Sequence, residues 1–223
     1  MPEAEPMFRL VEVVLRPAIG AYFSWHLEGM EHVSPEGPLL VAGNHVSHFD
    51  PLAHGYLLSR AGRRPRYLAK SELWTNPFLR YVLNDTHQIP VDRGTGRSAP
   101  VDAALAGLER GEAVVIYPEA TTTRNADKLP MQGKTGIARI ALRSGLPVMP
   151  LAVWGTHHVI QTKQIGFTFH RPIWVRAGRP MDFSEYAGRA EDSAALRKVT
   201  DEVMDELTRM VQDMRKEYPP RWA

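Results

Sequence analysis

Pro38-Leu39-Leu40-Val41-Ala42-Gly43-Asn44-His45-Val46-Ser47-His48-Phe49-Asp50-Pro51 is the stretch from which the rest of the chain is read. Residues 39–42 are continuously apolar, the pattern of a strand covered on both faces. Gly43 ends the run, and a polar cluster with His45, Ser47, His48 and Asp50 follows. Asp50-Pro51 then reads as a helix start, Asp in the capping position and Pro first inside, with the helix over residues 52–58. The stretch predicts a buried strand that stops, displays polar side chains and turns into a helix. In open α/β sheets, ligands and catalytic groups gather at such strand ends.

The same theme recurs outward along the chain. Residues 67–69 and 89–91 are short strands, the second delivering Asp92-Arg93, with a flexible loop over 94–97. Residues 113–117 form another apolar run, and Pro118-Glu119-Ala120-Thr121-Thr122-Thr123-Arg124 follows it at once. Residues 147–154 repeat the pattern, with Gly155 and His157-His158 beyond. Between these runs, residues 70–74 (Ser71 as cap), 77–83, 100–110 and 134–144 read as helices, the last two stopped by Gly111 and Gly145. Residues 165–169 and 173–177 are further strand-like segments. From Ser193 on, Leu196, Val199, Val203, Leu207, Met210 and Met214 recur every three or four residues, an amphipathic helix that closes the core. This alternation predicts a single α/β domain with a central mixed, largely parallel sheet flanked by helices, plus an N-terminal amphipathic helix and a C-terminal helix. The division expected is 1–26 for the N-terminal helix and 27–223 for the domain.

Composition narrows the chemistry. The 223 residues, 43% hydrophobic and 23% charged, suffice for one domain with a sizeable core. A net charge of +2 is too small to argue for nucleic acid. With no cysteine, disulfides, thiolate metal sites and a cysteine nucleophile are excluded. The start, Met-Pro-Glu-Ala-Glu, is acidic where a secretory signal is basic, so none is expected. Arg9, Glu12, Arg16 and Pro17 interrupt the apolar residues 7–25, so no membrane span is expected there. The plainer reading of that segment is a helix packed on the domain; the sharper one is a kinked amphipathic helix lying in a membrane interface with Tyr22, Phe23 and Trp25 at headgroup level.

His45 and Asp50 would diverge by about 140° on a regular helix. They cooperate only if residues 46–49 make a turn that brings the carboxylate back to the imidazole. A carboxylate on one ring nitrogen fixes the tautomer and leaves the other nitrogen as a base. The plainer reading is that Asp50 caps a helix and His45 is a loop histidine. A metal centre from His45, His48, Asp50 and His54, with His157-His158 elsewhere, matches no zinc spacing. The arginines of residues 60–66 lack the aromatic interleaving of a nucleic-acid module; they fit a surface that meets anionic headgroups better, and the plainer reading is a solvated turn.

Asn44-His45-x-Ser47-x-Phe49-Asp50-Pro51 resembles the His-x4-Asp motif of the glycerolipid acyltransferases, the family of 1-acylglycerol-3-phosphate acyltransferase. Ile89-Pro90-Val91-Asp92-Arg93 resembles that family's second block, residues 117–124 its third (usually Pro-Glu-Gly-Thr-Arg-Ser), and Val148-Met149-Pro150-Leu151-Ala152 its fourth. Each block alone is a weak signal; four in order, within about residues 8–180, are a strong one.

The resemblance implies transfer of a fatty acyl group from acyl-CoA or acyl carrier protein, with no other cofactor and no metal. The acceptor implied is the sn-2 hydroxyl of 1-acylglycerol-3-phosphate (lysophosphatidic acid), the product phosphatidic acid for phospholipid biosynthesis. His45 becomes the general base and Asp50 its orienting partner. Arg93 and Arg124, with Lys70 and Lys134, become candidate cations for the acceptor phosphate. Glu119 would orient the acceptor or brace an arginine, and Thr121 would hydrogen-bond a phosphate or sugar. Lack of a cysteine and of a Gly-x-Ser-x-Gly elbow agrees with direct transfer. The expected location is peripheral, on the cytoplasmic face of the cell membrane, held by the N-terminal helix and the basic turn. Two departures bear on the acceptor: Ala120 stands where the family prefers glycine, and Thr122 where its first arginine would be. They leave room for another lysophospholipid or a glycolipid. Outside the class, a metal-dependent hydrolase and a catalytically silent lipid-binding protein remain as alternatives.

Overall fold

In the computed structural model, residues 6–91, 99–161, 164–165 and 168–222 are described. The strands are Ser24–Glu28 (β1), Leu39–Gly43 (β2), Pro65–Lys70 (β3), Ile89–Val91 (β4), Ala113–Ile116 (β5), Val148–Trp154 (β6), Ile160–Gln161 (β7), Gln164–Ile165 (β8) and Pro172–Ala177 (β9). Seven of them form one sheet in the order β1-β9-β6-β2-β5-β3-β4, while β7 and β8 pair as a separate hairpin. β2 is therefore the middle strand. Every neighbouring pair in the sheet is parallel except β6 with β9, so the sheet is mixed and largely parallel, as expected.

The burial of β2 explains its continuous apolarity. Leu40 and Ala42 face one layer, with Val114, Ile116, Val148 and residues of the helices Ala99–Glu109 (α5), Gly136–Ser144 (α6) and Ser193–Glu217 (α7). Leu39 and Val41 face the other, with Phe49, Ala53 and Leu57 around the helix Asp50–Arg60 (α3). Alternate side chains point to opposite faces, so a strand between two helical layers has no polar side. Truncating the fully buried Leu40 to alanine would cost roughly 2–5 kcal/mol. The stripe read from residue 196 to 214 lies on α7 and is buried at each of its positions. Asp192 caps that helix by accepting from the N–H groups of Ala194 and Ala195.

Several local expectations change. The N-terminal segment is α-helix over Pro6–Leu10 (α1), a π-helical turn over Val11–Leu15 and α-helix again over Arg16–Tyr22 (α2). It ends before Trp25, which lies in β1 opposite Ile173. The boundary at 26 thus falls inside a sheet strand. Ser71 caps nothing: residues Ser71–Thr75 form a 3-10 turn, and Asn76 caps the helix Pro77–Asp85 (α4). Of the strand expected over 165–169, only Ile165, the end of β8, is strand among the described residues, and Phe169-His170 form a turn.

The basic turn is the largest correction. Arg63 is buried and donates to the carbonyls of Ser34, Gly37 and Gly111, tying loops together, and burial lowers its pKa. Arg66 is buried too, donating to Thr86 O. Arg64 pairs with Glu12 at 3.4 Å and lies 5.0 Å over the Phe8 ring, which pins the N-terminal segment to the domain. Arg60 remains exposed. A guanidinium carries five donors and readily closes several loop carbonyls at once, so this cluster is mainly structural.

Candidate active site

Because β2, β5, β3 and β4 run parallel, their carboxyl ends meet at one edge. β2 stops at Gly43, but Asn44 continues its pairing through its side chain. Its Nδ2 donates to Val153 O at 3.1 Å and its Oδ1 accepts from Val153 N at 2.7 Å. The amide imitates a strand partner, so the main chain can leave the sheet and lift His45 above its edge.

The next residues wrap around Asp50. Asp50 Oδ2 accepts from His45 Nδ1 at 2.8 Å, Val46 N at 2.6 Å and Ser47 N at 2.8 Å. Oδ1 accepts from the Thr156 hydroxyl at 2.5 Å. These donors satisfy a carboxylate that has no solvent exposure. Asp50 does not cap its helix; the carboxylate turns back over residues 45–47 instead. This is the turn that His45 and Asp50 needed in order to cooperate. Since a carboxylate only accepts, Nδ1 of His45 donates, and Nε2 presents its lone pair. His45 keeps 14% of its side chain exposed, with Asp50 sealed behind it.

The 117–131 segment braces His45 from another side. Glu119 Oε1 accepts from His45 N and Oε2 from Met131 N, both at 2.9 Å, and Thr123 N donates to His45 O at 2.6 Å. Glu119 thus holds backbone rather than an arginine, and burial raises its pKa. The Tyr117 ring stacks on the His45 imidazole at 4.2 Å. Tyr117 hydroxyl in turn pairs with His54 Nδ1 at 3.0 Å. His54 is fully enclosed, and burial pushes its pKa down to about 4. A β-carbon on Gly43 would lie 2.9 Å from His54 and 3.0 Å from Tyr117, so the close fit of that pair requires glycine.

A family model described as Acyltransferase matches residues 24–154, from β1 to the end of β6. The chain belongs to the acyltransferase family. It is 25% identical over 168 residues to the chloroplastic 1-acyl-sn-glycerol-3-phosphate acyltransferase of Brassica napus, covering 74% of this chain and 47% of that one. It is 30% identical over 121 residues to the lyso-ornithine lipid O-acyltransferase of Pseudomonas aeruginosa, covering 54% and 44%. The chain spans about half the length of these curated relatives. The crystal structure of the 1-acyl-sn-glycerophosphate (LPA) acyltransferase PlsC from Thermotoga maritima shares its fold, with a TM-score of 0.69 at 21% identity over 94% of this chain and 79% of that one.

The remaining candidates of this acyltransferase-family chain that fall among the described residues are dispersed along the same edge. Lys70 ends β3, exposed and level with Val91. Arg93, two residues beyond β4, lies outside the described residues. Arg124 is exposed, one residue from the Thr123–His45 hydrogen bond, and Thr121 is half-buried. Lys134 is exposed, with its N–H on Pro118 O at 2.8 Å, and precedes α6 rather than opening it. His48 is exposed, its ring 6.3 Å from that of His45. Among the described residues no three His, Asp or Glu side chains group to hold a metal ion. Asn44, Tyr117 and His54 stood in the stretches read from sequence without these roles, and Thr156 was not singled out at all. Thr156 carries the same mark as the others, a polar residue just past a buried strand.

Proposed function

We propose that the chain transfers a fatty acyl group from acyl-CoA, or acyl carrier protein, to the sn-2 hydroxyl of 1-acylglycerol-3-phosphate. The observation that carries this reading is the His45–Asp50 pair at 2.8 Å, which engages Nδ1 and leaves Nε2 of a partly exposed ring as the base. His45 Nε2 takes the acceptor's hydroxyl proton as its oxygen attacks the thioester carbonyl. The carbon–oxygen bond forms, the tetrahedral intermediate collapses with loss of the carbon–sulfur bond, and the imidazolium returns the proton to the departing thiolate. General base catalysis of this kind contributes roughly 10²–10⁴-fold. Lys70, Arg93, Arg124 and Lys134 are assigned to the acceptor's phosphate, and Thr121 to its polar head.

An apolar cavity of about 150 Å³ lies between the N-terminal segment and α3, lined among others by Phe8, Leu15, Ile19, Leu52, Tyr56 and Tyr67. Two stacked rings, Tyr67 on Tyr117 and Tyr117 on His45, stand between the cavity and the base, and the apolar lining suits an acyl chain. Peripheral attachment to a membrane, which we assign to the cytoplasmic face, draws its support from exposed apolar side chains on the N-terminal segment (Leu10, Val13 and Val14) and on α4 (Phe78, Leu79 and Tyr81); these bear on attachment and not on the face. Met7 N bonds Asp85, which joins the two elements. No helix among the described residues is long and apolar enough to cross a membrane.

A different lysolipid acceptor is the second reading, favoured by Thr122 in place of an arginine and by the lyso-ornithine lipid relative. Release of free CoA from a long-chain acyl-CoA, measured over a panel of lysophospholipid and lyso-ornithine acceptors, separates the two. His45→Ala and Asp50→Asn should abolish release with every acceptor; wild-type rates in either variant would overturn the mechanism.

A further inference from the structure

His157 Nδ1, His158 Nε2 and Arg171 Nε are buried nitrogens with no hydrogen-bond partner among the described residues. The chain brings them together past the end of β6. Gly155, in the left-handed region at φ 93°, turns the backbone there, and a β-carbon would meet Pro172 O at 2.5 Å. β9 runs antiparallel to β6, so Arg171, just before β9, comes to the same edge. The two imidazoles lie 4.0 Å apart, and His157 lies 4.5 Å from the Trp154 ring. Arg215, near the end of α7, sits 5.0 Å over Trp154, and Arg171 sits 4.9 Å over Trp222. Lys128, in the loop after Glu119, acts on His157 through its charge. His157 is buried.

No carboxylate pairs with Lys128, Arg171 or Arg215 among the described residues. Their field is felt: burial first, then His158, Lys128, Arg171 and Arg215 push His157 down to about 3. A buried polar nitrogen left without a partner is costly, and like charges gathered without a counter-charge repel. A compact oxyanion with several acceptor oxygens removes both penalties, and phosphate matches arginine and imidazole donors best.

The position is informative too. In the order β6-β2-β5-β3, His45 lies at β2, Lys70 at β3 and this cluster beyond β6, so the cluster and Lys70 flank the base. Thr156, the residue before His157, donates to Asp50.

We propose that Lys128, His157, His158, Arg171 and Arg215 form a second anion site that binds a phosphate monoester or diester carried by one of the two substrates. Only the identity of the carrier rests on the acyl-transfer reading; the site itself does not.

The test is a titration of the histidine ring resonances of the 223-residue chain with CoA, with 1-acylglycerol-3-phosphate dispersions and with inorganic phosphate. His157 and His158 are expected to shift with at least one probe, and the double variant Arg171→Gln/Arg215→Gln to weaken that binding about tenfold or more. In turnover, a matching rise in KM for acyl-CoA assigns the donor, and a rise in KM for the lysolipid assigns the acceptor. Unmoved resonances with all three probes, or equal affinity in the double variant, overturn the proposal. Intact phosphate binding without any acyl transfer would instead overturn the functional reading and leave the site standing.

Discussion

Thr156 donates its hydroxyl to Asp50 Oδ1 at 2.5 Å across 106 residues of sequence. Both residues are fully buried, so no water replaces the bond if it is lost. Thr156→Val keeps the shape and removes the donor, leaving a buried carboxylate oxygen short of a partner at a cost of about 1–3 kcal/mol. We expect kcat to fall about tenfold with the fold retained, read from CoA release and circular dichroism. A Thr156→Ser variant should recover most of the rate. Wild-type kcat in Thr156→Val would show that Asp50 is oriented without this bond.

Acid stability should carry the mark of His54. Its pKa is about 4 in the folded protein, against 6.5 when free, because burial excludes the charged form. Below pH 6.5 the unfolded chain binds a proton that the folded chain refuses until about pH 4. Stability therefore falls as pH drops through that window, by up to about 3 kcal/mol from this group. His157 adds to the same loss, so the measurement is a comparison: urea midpoints of wild type and His54→Gln between pH 7 and 4. The variant should show the shallower decline, and parallel curves would contradict the assignment.

Ala120 sits at φ 58° in the turn that carries Glu119. The left-handed conformation costs an L-residue roughly 1–2 kcal/mol, part of which glycine gives back through the entropy of its unfolded chain. Ala120→Gly should raise stability by about 0.5 kcal/mol with the rate unchanged, measured by chemical denaturation. A loss of stability would show that the methyl group packs against something that matters. The same strain explains why the family's third block favours glycine here.

Val13 and Phe78 are 66% and 69% exposed, on the N-terminal segment and on α4. If this strip meets lipid, Val13→Ser/Phe78→Ser removes apolar area that the bilayer would bury, and affinity for anionic vesicles should drop about tenfold or more. Co-sedimentation reads it directly. Equal binding would place the attachment elsewhere.

The periodicities were legible in the chain because they are local. Residues 39–42 needed cover on both faces, and the stripe from Leu196 to Met214 needed a core; both are where the pattern put them. The pairing of His45 with Asp50 was legible only in part: Asp-Pro read equally as a helix cap, and the carboxylate turns back to the imidazole instead. What the chain did not disclose were partners set by distant pairings. Thr156 reaches Asp50 only because β6 lies beside β2, and Glu119 reaches the backbone of His45 only because β5 lies on the other side. Arg63 and Arg66 read as a basic surface until loops far apart in sequence closed over them. Spacing determined the fold class and nominated His45 and Asp50 as a candidate pair; tertiary structure decided which polar groups hold that pair, because a hydrogen bond depends on where a strand's neighbours lie rather than on its own sequence.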